Sequence, residues 1–201
     1  MIQDLVSVII PVYNIQKEYL NVCFNSLIKQ TYNNFEVIII DDGSLDNLAS
    51  FVDECANKDS RFRVIHKKNQ GVSAARNDGL AISLGQYVIF VDGDDWLEPT
   101  AIERLINFGM LDNAEFVVAN NYYEYETHRE KRHDIEDAPR RYRDGEIRRL
   151  SLSTITPSYE LKYYDAHIGM IRGVWGKLYC ANIIKKNGIF FKKSDRSHVV
   201  L

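Results

Sequence analysis

Cysteine is scarce in this chain and forms no pattern. Cys23, Cys55 and Cys180 are odd in number and far apart, and none belongs to a Cys-x-x-Cys pair. That excludes a disulfide framework and a cysteine zinc site, and points to a reducing compartment. The five histidines show no His-Glu-x-x-His spacing, so the zinc-protease helix is missing as well. No stretch approaches the ~20 apolar residues of a membrane-spanning helix. No charged leader with an apolar signal core follows Met1. The expectation is a cytoplasmic chain that starts folding at its first residues, with peripheral contact at the inner face of a membrane left open. A net charge of −3 offers no general attraction to nucleic acid, so no nucleic-acid partner is expected. Gly-x-Gly-x-x-Gly after the first strand and Gly-x-x-x-x-Gly-Lys-Ser/Thr are both absent. This argues against a dinucleotide fold and a P-loop NTPase.

What is present is a 45% apolar chain of 201 residues, enough for one domain, or one domain with an appendage. Leu5 to Val12 is a near-continuous apolar run, the signature of a strand buried on both faces. Leu20, Cys23, Phe24, Leu27 and Ile28 follow at helical spacing. Phe35 to Ile40 is a second buried strand, and Leu48, Phe51, Val52 and Cys55 mark a second helix, with Ser44 or Asp46 as its cap. Phe62 to His66 reads as a strand and Gly71 to Leu84 as a helix that stops at Gly85. Tyr87 to Val91 is a fourth strand. Pro99 suits the first turn of the next helix, whose buried face is Ile102, Leu105 and Ile106. Glu115 to Ala119 completes the alternation. Alternating strands and helices with hydrophobic strands mean an α/β fold, a mostly parallel sheet covered on both faces. Residues 1–120 are expected to form this core. Residues 121–201, which begin with a Tyr-, Arg-, Glu- and Asp-rich stretch, are expected to form an extension to that core.

The chemistry gathers at strand ends. The fourth strand stops in Asp92-Gly93-Asp94-Asp95. Three carboxylates at the tip of an apolar strand repel one another and lose water where the chain packs. A divalent cation removes that cost and keeps room for phosphate oxygens. The first strand ends in Pro11-Val12-Tyr13-Asn14 and the second in Asp41-Asp42-Gly43-Ser44. In a parallel sheet these ends share one edge, where open α/β sheets bind ligands. Tyr13 offers a stacking face for a base, Asp42 an acceptor for a base N–H or a ribose hydroxyl, and Asp94 a metal ligand. Together they describe a nucleotide-sugar site. Taken alone, Asp41-Asp42-Gly43-Ser44 reads as well as a strand-to-helix turn with a cap.

Val6-Ser7-Val8-Ile9-Ile10-Pro11-Val12-Tyr13-Asn14, Ser26-Leu27-Ile28-Lys29-Gln30-Thr31-Tyr32, Asp41 to Ser44, Gly71-Val72-Ser73-Ala74-Ala75-Arg76-Asn77-Asp78-Gly79 and Gly85 to Trp96 resemble, in order and spacing, the family 2 glycosyltransferases. The later Val174-Trp175-Gly176-Lys177-Leu178-Tyr179 resembles a motif of the subgroup that builds bacterial surface polysaccharides. The resemblance implies a GT-A fold with a Rossmann-like sheet. It implies a nucleotide-diphosphate donor such as a UDP-sugar, Mn²⁺ or Mg²⁺, and transfer with inversion to a saccharide or lipid-linked saccharide acceptor. By position, Pro11, Val12, Tyr13, Asn14, Asp41, Asp42 and Gly71 would line the nucleotide. Arg76 would lie near the diphosphate or base edge, and Asp92 and Gly93 near the ribose or sugar. Asp94 with Asp92 would hold the metal, and Asp95, Trp175 and Lys177 would face the donor or acceptor sugar.

One departure matters. The family's general base, usually in a Glu-Asp pair, should follow Ile189-Phe190-Phe191. Here only Ser194-Asp195-Arg196-Ser197-His198 follows before Leu201. The expectation is a base beyond Leu201, with Asp195 as the weaker candidate within the chain. A non-catalytic nucleotide-sugar-binding module is one alternative reading. A sugar-phosphate nucleotidyltransferase is another, although Pro11 to Asn14 is not the glycine- and lysine-rich loop it would need. The sugar, the linkage and the oligomeric state stay open.

Overall fold

The computed structural model describes residues 4–112, 114, 116–119, 122–125, 127–131 and 174–192. The chain forms two compact units, residues 1–118 with 177–201, and residues 119–176.

The first unit is built on β1 (Val6–Val12), whose seven residues are all buried. At about 1.5–3 kcal/mol for each buried Val or Ile side chain, this strand has one stable place, the middle of a covered sheet. It pairs in parallel with β2 (Phe35–Asp41) on one side and with β4 (Tyr87–Phe90) on the other. β3 (Phe62–His66) extends the sheet beyond β2, again in parallel. Beyond β4 lies β8 (Lys177–Cys180), antiparallel, and then β5 (Phe116–Val118), antiparallel to β8. The six-stranded order is β3-β2-β1-β4-β8-β5, so the sheet is mostly parallel, as expected.

Helices α1 (Lys17–Ile28), α2 (Asp46–Ala56), α3 (Val72–Ile82) and α4 (Ala101–Asp112) connect successive strands. A short α5 (Ala181–Lys186) follows β8. The buried residues of α1 are Leu20, Cys23, Phe24 and Leu27, four of the five expected from spacing; Ile28 is exposed. Helix α3 lies so close to β1 that a Cβ on Gly79 would sit 2.4 Å from Ile9 Cγ2, so a larger residue there would force the two apart.

Three expectations change. Neither Ser44 nor Asp46 caps α2: its N-cap is Leu45, which makes no side-chain cap bond, because the Ser44 hydroxyl accepts the Asn14 N–H at 3.2 Å instead. Pro99 lies in the turn before α4 rather than within its first turn. Residues 177–180 belong to the core sheet and not to a separate 121–201 extension, because β8 fills the place between β4 and β5. Short-range periodicity carries no signal for a strand that pairs with partners dozens of residues away.

The polar groups of this sheet are placed at its two ends. At the amino ends, the buried Ser7 hydroxyl donates to Glu36 Oε1 at 2.7 Å and accepts the Gly85 N–H at 2.9 Å. The carboxyl ends of β1 to β4 share the opposite edge.

In the second unit, β6 (Tyr122–Glu124) and β7 (Arg129–Lys131) form an antiparallel hairpin. Tyr125 and His128 stack at 4.7 Å across its turn.

Candidate nucleotide-sugar site

The edge is shaped first by β1 and β2. β1 pairs with β4 only as far as Ile9–Phe90, so Pro11, which has no N–H to give, lies past that ladder. Beyond it Tyr13 is half exposed, and Asn14 takes a positive φ of 48°, a conformation asparagine tolerates better than most residues. The Asn14 side-chain oxygen accepts the Leu45 N–H at 3.2 Å. With the Asn14–Ser44 bond this ties the β1 and β2 ends together and fixes where Tyr13 stands.

Asp41 and Asp42 are both buried, at 2% exposure. Each is neutralised by its own set of donors. Asp41 Oδ1 accepts the Ser44 N–H at 3.0 Å, and Asp41 Oδ2 meets His66 Nδ1 at 2.7 Å. Burial alone would push Asp41 up, but the hydrogen bonds from Ser44 and His66 outweigh it and hold the carboxyl below its usual value. His66, at the end of β3, has Asp53 Oδ1 at 3.0 Å from Nε2. The bond to Asp41, ahead of the opposing burial, raises its pKa. Asp42 accepts the Gln70 N–H at 2.9 Å on one oxygen and the Gly71 N–H at 2.7 Å on the other. It therefore pins the loop that enters α3, where Gly71 is the N-cap at φ 91°. Lys67 lies 3.9 Å from Asp42 Oδ1 and pairs closely with Asp78.

The end of β4 is built differently. Asp92 accepts from the Arg76 guanidinium at 2.6 Å, and Arg76 is almost fully buried. Gly93 packs closely in this turn: a Cβ there would come within 2.6 Å of Ile15 Cδ1, and the Ile15 side chain would have to shift. The Asp95 N–H closes the turn onto Asp92 O at 2.9 Å. Asp94 and Asp95 remain exposed residues. Partial burial of its carboxyl pushes the Asp95 pKa from 3.8 to about 6, with the Asp92 and Asp94 charges adding to it. Nearby, the Cys23 thiol is driven upward mainly by burial and then by the same three carboxylates.

Among the described residues no three His, Cys, Asp or Glu side chains close into a metal cage. A Mg²⁺- or Mn²⁺-type ion does not need one. It is commonly held by one or two carboxylates together with substrate phosphates. Asp94 and Asp95 are exposed and Asp92 is half-buried, so the turn presents carboxylate oxygens of the kind such an ion takes, and the donor set fits it.

Several residues at this edge carried no functional expectation. His66 and Lys67 end β3 on the same edge as β1 and β2, and strand order alone would have flagged them. Ser26 and Gln30 lie in a quoted motif, and the structure shows their role. The Ser26 hydroxyl accepts the Leu97 N–H at 3.1 Å. Gln30 donates to Glu98 O at 2.8 Å and accepts the Ile102 N–H at 3.1 Å. Helix α1 thereby seats the segment that leaves Asp95. Lys177 is buried at 1% exposure, and burial lowers its pKa to about 8. Trp175 is half-buried in the second unit. Asp195 lies outside the described residues.

The profile of the family described as Glycosyl transferase family 2 matches residues 7–168. EpsH of Bacillus subtilis (strain 168) is 33% identical over 201 residues, which cover 96% of this chain and 52% of EpsH. The chain thus spans about half the length of that curated relative. Among solved structures, S. aureus TarS 1-349 in complex with UDP aligns with a TM-score of 0.65 at 23% identity, over 93% of this chain and 50% of that one. The mannosyltransferase PcManGT of Pyrobaculum calidifontis, in complex with GDP-Man and Mn²⁺, aligns with a TM-score of 0.53 at 21% identity, over 58% and 35%. The structural likeness supports the expected fold, GT-A with a mostly parallel central sheet flanked by helices.

Proposed function

The chain belongs to glycosyl transferase family 2, and from that premise we propose that it is the donor-binding part of an inverting transferase of bacterial surface-polysaccharide assembly. The donor is a nucleotide-diphosphate sugar, read as a UDP-sugar because the TarS structures contain UDP and UDP-GlcNAc. The acceptor is a hydroxyl of a saccharide or lipid-linked saccharide. The observation that carries this reading is the acid turn Asp92-Gly93-Asp94-Asp95, with Asp94 and Asp95 exposed, on the same sheet edge as the exposed Tyr13 ring.

The parts divide the work. Tyr13 stacks on the base, with Pro11, Val12 and Asn14 forming the wall behind it. Asp41 and Asp42 hold the loops that line the nucleotide, and Gly71 leaves room beside it. The remaining lone pairs of Asp42 face a base N–H. Arg76 orients Asp92, which with Gly93 meets the ribose or sugar. Asp94, with Asp92, would hold Mn²⁺ or Mg²⁺, which would supply positive charge against the diphosphate. Asp95, Trp175 and Lys177 are assigned to the sugars. Deprotonation of the attacking hydroxyl is assigned to a carboxylate outside the described residues.

Calorimetry with UDP tests the reading. Binding should be weak in excess chelator and at least about tenfold tighter with Mn²⁺, because a cation relieves repulsion between the acid turn and the diphosphate. Equal affinity in both conditions would remove the metal assignment. A transfer assay with UDP-sugars separates a transferase from a binding module.

A further inference from the structure

Arg76 is the pivot of this site, and its surroundings are unusual for a buried cation. Its terminal nitrogen reaches Asp92 at 2.6 Å, yet its buried Nε–H has no hydrogen-bond partner among the described residues. An arginine so placed is held by few directional contacts. One more group steadies it. The guanidinium carbon lies 5.6 Å from the centre of the Phe191 ring, a distance at which the ring quadrupole attracts a cation. Phe191 is itself buried, and its ring meets Phe90 edge to face at 5.1 Å and 85°. Phe90 is the last residue of β4, two before Asp92.

The position of Phe191 is set by the residue next to Arg76. The Asn77 side chain donates to Phe191 O at 2.9 Å and accepts the Phe191 N–H at 2.9 Å. An amide that donates to the C=O and accepts from the N–H of one residue fixes that residue in height and rotation, as a neighbouring strand would. These bonds join positions 114 residues apart. Arg76 and Asn77, adjacent on α3, therefore grip the ring and the backbone of the same distant residue.

The geometry points to Asn77 and Phe191 as positioning residues for the Arg76–Asp92 pair, through which they set nucleotide affinity. Neither touches the nucleotide. Without the Phe191 ring, the guanidinium has Asp92 as its one strong partner and can turn toward its unpartnered Nε–H side. Asp92 then loses a fixed counter-charge at the acid turn. The inference rests on the donor-site reading given above.

The test is titration of the 201-residue chain with UDP and with GDP, each with Mn²⁺. Phe191→Leu keeps an apolar side chain but removes the ring face, and should weaken binding about fivefold. Asn77→Ala keeps the ring but frees the backbone, and should weaken binding about threefold. It carries the test if Phe191→Leu fails to fold. In an Arg76→Lys background Phe191→Leu should change affinity less than about twofold, because the two act through one group. Ile189→Ser, on an exposed side chain of the same segment, should bind as the unmodified chain does. A readout independent of ligand is the Arg76 Nε–H signal by NMR. Its exchange with water should accelerate at least about tenfold in Phe191→Leu. Full additivity of Arg76→Lys and Phe191→Leu, equal affinity in the folded variants, or an equal loss in Ile189→Ser would overturn the inference. If the unmodified chain binds neither nucleotide, the donor-site reading falls and takes this one with it. If it binds and the variants bind alike, this one falls alone.

Discussion

The two acidic strand ends on the carboxyl edge of the sheet hold their carboxylates in opposite ways. At the end of β2, Asp41 and Asp42 are buried and surrounded by donors: the N–H groups of Ser44, Gln70 and Gly71, and His66. At the end of β4, among the described residues, Asp92, Asp94 and Asp95 share one guanidinium, on Asp92. The consequence is visible in their acidity. Asp41 is held below the usual carboxylate value, although burial opposes it, whereas Asp95 is pushed up to about 6 by burial and by its acidic neighbours. Identical side chains thus serve as structural pins at one strand end and stand exposed at the next, where the proposal above places the metal. A carboxylate surrounded by protein donors stabilises the fold; carboxylates crowded together with fewer donors disfavour their own ionisation.

The largest expected effect separates the two ends by one substitution type. Asp42→Ala leaves two loop N–H groups without their acceptor and should cost about 3 kcal/mol of stability, since hydrogen bonds to a charged group are worth about 1.5–3 kcal/mol each. Urea unfolding measures it, and a loss under about 1 kcal/mol would show that water replaces Asp42 and that the two ends are alike. Next in size is Asp94→Asn. It should leave unfolding unchanged within about 0.5 kcal/mol, while weakening Mn²⁺-dependent UDP binding about 10–100-fold. Loss of stability in place of binding would make Asp94 another pin.

The pH dependence of stability sharpens the contrast, because the two ends have opposite slopes. A carboxyl raised in the folded state keeps a proton that the unfolded chain has released. Without metal, stability attributable to Asp95 is therefore lost as pH rises from the ordinary carboxylate range through about 6. Asp41 is lowered, so its contribution is present above its ordinary value of 3.8 and lost as pH falls below it. The difference in melting temperature between Asp95→Asn and the unmodified chain should grow from pH 4 to pH 7 and shrink when Mn²⁺ is added. A difference that does not vary with pH would contradict the crowding at this turn.

The smallest effect is at His66. Its raised pKa means that its contribution is complete below the ordinary value of 6.5 and lost as pH rises through the folded value. The side chain is 43% exposed, so solvent screens the pair. His66→Gln should cost about 0.5 kcal/mol at pH 6 and nearly nothing at pH 8.5. A loss that is equal at both pH values would mean that the imidazole acts by packing rather than by charge.

Much of this was legible in the chain itself. The run from Val6 to Val12 could only be a central strand, and the helical stripe of Leu20, Cys23, Phe24 and Leu27 could only be a buried face. The acid turn after β4 was legible because an apolar strand stopping in three carboxylates violates local consistency, and such violations mark sites. The place of Lys177–Cys180 between β4 and β5 was not legible. Nor were the grip of Asn77 on Phe191 and the pinning of the Gln70–Gly71 loop by Asp42. Each depends on groups brought together from distant parts of the chain, and no periodicity records such pairings.

By itself, then, the sequence determined which segments are buried, how they alternate, and which strand ends carry acid, because burial and periodicity are local properties written in side-chain type. Tertiary structure alone decided which acids are neutralised. Asp42 and Asp94 are the same residue at corresponding strand ends. The arrival of a loop from 28 residues away at Asp42, and of Arg76 at Asp92 rather than at Asp94, makes Asp42 a fastening and leaves Asp94 exposed at its turn. The sign of a carboxylate's pKa shift depends on the donors and charges within a few ångströms, and the folded chain decides which those are.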